Sequence, residues 1–406
     1  MPNLQKTFED YPAALAYATQ MDGAVYGLFR VSGEIATSTS ARPHYLKHVL
    51  EGAGYTGELK TIDDFYNALV VCKEHYGTPS YFHYNNKASG WAPMLFAAFG
   101  TLTQMDFGDD GTGKVVASRA TEQYKEYVKF LNKLYEEELM HREYLTLDSS
   151  AQLKLMQSGT YAFVPSSTAS ALVDADVAND WSNLATQAPL TSEFDNTQEI
   201  IGYPDFYTAH GMYINKDSKY IEEICKMLDI CFASEEVVEG SNLYGANFTS
   251  GPENVVWTDN GDGTFTEITP EGFSSRSTYI NQVYSWDSIG RNDCWAGMIT
   301  DTPGNTQARQ KGYLESVIPY QSDRYVNMKS LQLTDDEQYI ITNKWGEIST
   351  YISQMEAAFV SGSEDIDAKW DEYVATLNAM GIEECRAVYQ AAYDRFNEAM
   401  NALSTN

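Results

Sequence analysis

The feature that most limits how this chain can fold is a stripe near its C-terminal end. Ile341, Trp345, Ile348, Ile352, Met355 and Phe359 recur four and three residues apart, which puts them on one face of a helix. Thr334 and Glu337 form a T-x-x-E capping box just ahead of it. A face this apolar aggregates unless another element covers it, so the helix must dock on a folded body. Two more helices are predicted at about 365–380 and 383–403, separated by Gly381 as a C-terminal cap.

The rest of the chain supplies an α/β body. Asp22-Gly23 turns into an apolar strand, Ala24–Phe29. Thr61 and Asp64 read as a helix cap, and Phe65, Leu69 and Cys72 follow at helical spacing. The segment from Trp91 to Gly100 is helical after Pro93. Tyr124, Tyr127, Val128, Leu131, Leu134 and Tyr135 form a further stripe. A helix over about 148–158 stops at Gly159, and Tyr161–Val164 follows as a short buried strand, an α/β layer signature. A strand at Gly211–Ile214 precedes a helix with Ile221, Ile224, Cys225, Leu228 and Phe232 on one face. Val255–Thr258 and Thr264–Thr266 flank a turn-rich stretch and predict a β-hairpin.

Composition narrows the function classes. The 406 residues suffice for two or more domains or lobes without disulfide staples. Fifty-seven acidic residues against 27 basic ones give a formal charge of -30, which excludes a nucleic-acid or anionic-membrane binder. No run approaches about 20 apolar residues, so a membrane-spanning helix is excluded. The five cysteines, Cys72, Cys225, Cys231, Cys294 and Cys385, are odd in number and contain no CxxC pair, so neither a disulfide scaffold nor a zinc ribbon is indicated. The first residues show no basic, apolar and cleavable signal pattern, which taken literally places the chain in the cytoplasm.

Most motif matches dissolve on inspection. Gly108–Val115 nearly spells a phosphate-binding loop, but Val115 stands where a magnesium-holding Ser or Thr belongs, and two aspartates inside it would repel phosphate. A polar hairpin is expected there. His44 and His48 would share a helix face, yet no third ligand lies nearby, so a solvated helix face is expected and no metal. The acidic turn Asp259–Gly263 lacks the ligand order of a calcium loop. No nucleophile elbow and no cofactor motif is found. Carboxylates are plentiful, but none singles itself out as a glycosidase pair.

The aromatics say more. Residues of this type make up 13% of the chain, and several sit in polar, loop-like settings. Tyr84 and Trp91 flank NNKASG, and Tyr203, Phe206 and Tyr207 surround Asp205. Trp286 precedes Asp287, and Trp295 follows Asn292. An aromatic face over a polar rim suits sugar rings, whose C–H faces are apolar and whose hydroxyls need partners. Any single one reads as a packed loop residue; two or three lining a cleft is expected of the group.

An ordered set of short motifs resembles the family 1 extracellular solute-binding proteins of ABC transporters, of the sugar-binding lipoprotein type found in Gram-positive bacteria. The set is Asp22-Gly-Ala-Val-Tyr-Gly27, Thr61-Ile-Asp-Asp-Phe65, Met156-Gln-Ser-Gly159, Ile214-Asn-Lys-Asp-Ser-Lys219, Leu333–Glu337, Phe359–Gly362 and Asp367–Gly381 with Val388–Phe396. The resemblance implies a periplasmic-binding-protein-like two-lobe α/β fold of type II. It implies a carbohydrate ligand held between the lobes, hinge closure, ABC permease subunits as partners, no cofactor, no catalysis and a monomer. It implies an extracellular, membrane-anchored lipoprotein at full length. The family carries about a hundred residues ahead of the Asp22 motif. The N-terminal lobe is therefore expected to be incomplete and the chain poorly stable by itself. On this mapping 1–30 is a remnant of lobe 1 with a hinge strand, 31–205 builds lobe 2, 206–286 returns to lobe 1, and 287–406 completes lobe 2. Candidate ligand contacts are Tyr84, Trp91, Tyr203, Asp205, Phe206, Tyr207, Trp286, Asn292 and Trp295. A glycosidase using two acidic residues and a peptide binder on the same fold are the alternatives.

Overall fold

The computed structural model describes residues 1–31, 43–83, 91–101, 106–164, 183–201, 208–232, 254–259, 265–273, 276–283, 290–291, 312, 315–322 and 328–404. Two short helices open the chain, α1 (Pro2–Asp10) and α2 (Pro12–Ala18), each with a proline in its first turn, where no amide donor is needed. The α1 N-terminus is capped from far along the chain: Asp229 accepts from the amides of Asn3 (3.2 Å) and Leu4 (3.0 Å). Gly23 then turns the chain at φ +81°, and Asp22 accepts from the Ala24 amide.

The strands are short. In chain order they are β1 (Gly27–Val31), β2 (His44–Leu46), β3 (Phe107–Asp109), β4 (Val115–Ala117), β5 (Phe163–Val164) and β6 (Leu184–Thr186). After them come β7 (Ile200–Ile201), β8 (Thr208–Tyr213), β9 (Trp257–Asp259), β10 (Phe265–Glu267), β11 (Gly290–Arg291) and β12 (Gln321–Ser322). One sheet has the order β11-β1-β8. β8 runs antiparallel to β1, with Gly27 opposite Tyr213 and Arg30 opposite Thr208. β11 runs parallel to β1, with Arg30 opposite Gly290 and Val31 opposite Arg291. The chain therefore passes through this sheet three times in alternating directions.

A second sheet, β5-β2-β6, is antiparallel and centred on β2. β7 and β12 form a parallel pair, and β3–β4 and β9–β10 form hairpins. Both hairpins stand where turn chemistry predicts them. In the first, the near-phosphate-loop sequence is closed by its own carboxylates. Asp109 accepts from the amides of Gly111 and Gly113, and Asp110 from the amide of Thr112. These three amides are thus already bonded, so they hold no phosphate.

The large core gathers around the helix Ile62–Tyr76, whose Phe65, Leu69 and Cys72 are fully buried, and the helix Glu122–Glu136 with Tyr124, Tyr127, Val128, Leu131 and Leu134. The C-terminal stripe docks here as its composition requires. The helix Asp335–Val360 packs on Glu122–Glu136 and on the last helix, Ile382–Ser404. Ile348, Ile352 and Phe359 are buried, and Trp345 lays its ring 4.9 Å from Phe107. The capping boxes Thr61–Asp64 and Thr334–Glu337 both form, and Gly381 ends the helix Ile366–Met380 at φ +99°.

A separate small core holds Leu4, Leu28, Leu228, Cys231 and Phe232. Phe8 borders both cores. On the predicted apolar face of the helix Ile221–Asp229, Leu228 is buried while Ile221 is 40% exposed. One expectation is overturned. His44 and His48 do not share a helix, since His44 lies buried in β2 and His48 on the exposed side of the next helix, Lys47–Gly52. The strand ends between them, so the four-residue spacing loses its meaning.

Candidate functional site

At one end of the second sheet lies an open groove of about 730 Å³. Its walls come from Tyr45 on β2, the segment 57–61, Thr186 at the end of β6 with Gln187 and Ala188 after it, Thr191, Asn196 and Gln198 ahead of β7, and Ser316 and Tyr320 ahead of β12. Local chemistry fixes each wall. Thr61 caps its helix, and the Asp64 carboxylate in turn accepts from the Lys60 and Thr61 amides, holding the 60–61 backbone still. Burial alone would raise the Asp64 carboxyl, but the Thr61 hydroxyl and these two amides hold it below the usual carboxylate range. The Thr191 amide donates to the Lys60 carbonyl and the Ile62 amide to the Thr191 carbonyl, so the two rims are bolted together.

Gln187 joins three segments beneath the groove. Its amide N–H donates to Pro43 O (2.9 Å), and its side-chain nitrogen donates to Leu59 O (2.7 Å) and Ala188 O (2.8 Å). Gln198 similarly donates to Pro189 O. Tyr45 keeps its proton, because burial first and Glu51 second push its phenol up. The groove thus presents two tyrosines, several amides and hydroxyls, and one ion pair, Lys60 with Glu58.

Behind the groove the packing is aromatic. Thr186 Oγ1 lies 3.3 Å from His44 Nδ1, and the His44 carbonyl accepts from Trp91 Nε1 at 2.9 Å. The Trp91 ring stacks on Phe65 and meets Phe163 edge-on. His83 sits deeper, with Tyr81 OH at 2.7 Å from Nδ1 and Tyr127 OH at 3.1 Å from Nε2. Full burial lowers its imidazole to about 4, so it stays neutral.

Of the nine candidate contacts named from sequence, Trp91 falls among the described residues. It is 1% exposed, with one face on Phe65 and its N–H bonded. It is a core residue, and the polar stretch before it misled the loop reading. Tyr84, Tyr203, Asp205, Phe206, Tyr207, Trp286, Asn292 and Trp295 lie outside the described residues. Their described neighbours are informative. Tyr84 follows buried His83. The 202–207 stretch joins β7 to β8, and Asn292 follows β11. Sequence reasoning missed Tyr45, Lys60, Gln187, Asn196, Gln198 and Tyr320, which carry no motif; only the Thr61 cap beside Lys60 marked the spot.

No family model matches the chain. The fructooligosaccharide ABC transporter substrate-binding protein FusA of Streptococcus pneumoniae is 21% identical over an alignment of 419 residues, covering 99% of this chain and 75% of FusA. The lipoprotein LipO of Bacillus subtilis is 27% identical over 139 residues, 32% of this chain and 27% of LipO. An HMO-binding ABC-transporter-associated solute-binding protein from Bifidobacterium longum infantis superposes over 98% of this chain and 82% of its own, with a TM-score of 0.70 at 17% identity. FusA in complex with kestose superposes over 98% of this chain and 82% of its own, at 0.67 and 20% identity. The chain has the fold of an ABC-transporter solute-binding protein. That is the periplasmic-binding-protein-like α/β architecture expected from the motif order. Among the described residues of this solute-binding-protein fold, no helix is long and apolar enough to cross a membrane.

Proposed function

We propose that the chain binds a carbohydrate, as an oligosaccharide, for an ABC importer, and does so without turnover. The observation that carries this is the superposition of 98% of the chain on sugar-complexed FusA, together with a tyrosine- and amide-lined groove at a sheet end. Tyrosine rings suit sugar C–H faces, and amides and hydroxyls suit sugar hydroxyls. Residues 1–30 and 206–286 belong to one lobe, and 31–205 and 287–406 to the other. The three alternating passes of β1, β8 and β11 support this division, as does the small core drawn from Leu4, Leu28, Leu228, Cys231 and Phe232. Helix α2 departs from it, since Ala14 and Tyr17 pack in the large core.

Tyr203, Asp205, Phe206, Tyr207, Trp286, Asn292 and Trp295 act in the ligand site with Tyr84, and Trp91 is withdrawn. Their support is connectivity: Thr208 and Arg291, next in sequence to Tyr207 and Asn292, pair with neighbouring residues of β1. Contacts that bridge both lobes exist only in the closed state, so ligand shifts the population toward closure. The natural setting is a monomeric lipoprotein outside the cell membrane that delivers sugar to permease subunits; the likeness to the lipoprotein LipO supports the lipoprotein part of this reading. A thermal-shift screen against matched glycan and peptide panels tests the reading. Glycan hits with no peptide hits are expected; peptide hits alone overturn it.

A further inference from the structure

The groove's polar groups are not interchangeable, and their arrangement points to the charge of the ligand. Gln187 is 4% exposed, and both hydrogens of its side-chain nitrogen are directed at carbonyls, Leu59 O and Ala188 O. Turning the amide over would set its oxygen against those same two carbonyls, so its orientation is fixed. Gln187 lines the groove, and its oxygen Oε1 bonds to none of the described residues. An acceptor held in one orientation at a groove can take a donor from the ligand. A hydroxyl supplies one; an ionised carboxylate does not and would meet Oε1 lone pair to lone pair.

Charge agrees. Among the described lining residues the one cation, Lys60, is paired with the one anion, Glu58, so the lining carries no net charge. The whole chain is at -30, a field that opposes anionic ligands within a Debye length of about 8 Å at physiological salt. We infer that the groove selects neutral glycans over uronate-type acidic ones on charge, with Gln187 Oε1 as an acceptor for a sugar hydroxyl where a carboxylate is disfavoured. The inference deepens the carbohydrate-binding reading and rests on it.

Calorimetry with a neutral fructo-oligosaccharide and an alginate-derived oligouronate of matched length tests it, at two salt concentrations. The neutral ligand is expected to bind at least roughly tenfold more tightly, with little salt dependence. Glu58→Gln, at an exposed position, frees Lys60 and is expected to raise oligouronate affinity roughly fivefold at low salt. Gln187→Met, checked for an unchanged melting profile, is expected to weaken the neutral ligand roughly fivefold to tenfold. Equal or tighter oligouronate binding by the wild-type chain overturns the charge selection while leaving sugar binding intact. A chain that binds neither class overturns the carbohydrate reading itself and this inference with it. If Gln187→Met unfolds, the wild-type ratio and the Glu58→Gln shift still decide.

Discussion

Two buried groups show how single residues tie the large core together. His83 is neutral because burial lowers its imidazole to about 4, Glu356 opposing the drop and Arg119 adding to it. An unfolded chain protonates this histidine near 6.5, so between about 6.5 and 4 only the unfolded state takes up the proton. Stability contributed by His83 is therefore complete above 6.5 and falls as pH drops through that window, by on the order of 3 kcal/mol. Denaturant titrations from pH 7 to 4 check this, and His83→Gln should flatten the slope. Asp64 and Glu337, both held low by hydrogen-bond donors, lose their contributions only below about 4.5, so the two effects separate. Glu356 is 2% exposed and accepts from both Arg119 and Tyr124. Glu356→Gln leaves Arg119 with weakened compensation, and a loss of roughly 3 kcal/mol in the unfolding midpoint analysis is expected. Neither role was legible in the sequence. A glutamate in a helical pattern reads as a solvated face, and burial of charge depends on a partner more than 200 positions away. Trp91 failed in the opposite sense, since polar neighbours along the chain said nothing of Phe65 and Phe163 packed against it.

At the scale of elements, what depends on neighbours in sequence was legible. The boxes at Thr61 and Thr334 follow from side chains bonding backbone three positions away, the stop at Gly381 from its left-handed backbone, and the β3–β4 turn from Asp109 and Asp110 bonding amides two to four positions on. Strands of two or three residues are too short to show a period, so β7, β11 and β12 were invisible. β11 is nonetheless held tightly. Gly290 sits at φ +107°, and a Cβ there would come within 2.5 Å of the Cys231 carbonyl oxygen. That carbonyl belongs to the turn that also accepts from Thr7 through Phe232 O. Gly290→Ala is expected to destabilise by about 2 kcal/mol or more, read as a lower melting temperature. Gly346 gives the control: it lies inside a helix with open space where a Cβ would go. Gly346→Ala is expected to stabilise by about 1 kcal/mol.

For the whole molecule, the order of weak motifs identified the fold where composition and periodicity alone reached only an α/β body with docked C-terminal helices. No one motif decided it; their sequence along the chain did, because connectivity through three alternating strand passes fixes which segments can follow which. The groove escaped notice for the same physical reason that it is a groove. Its walls come from four separate stretches, each ordinary by itself, brought together by Gln187 and by the bonds that Thr191 makes with Lys60 and Ile62. The central claim is that this chain holds an oligosaccharide and leaves it intact. Isothermal titration with a neutral oligosaccharide, followed by chromatography of the same sample after overnight incubation, tests it most directly. Saturable binding with the sugar recovered unchanged is the predicted result; absence of binding to any oligosaccharide, or release of new reducing ends, would contradict it.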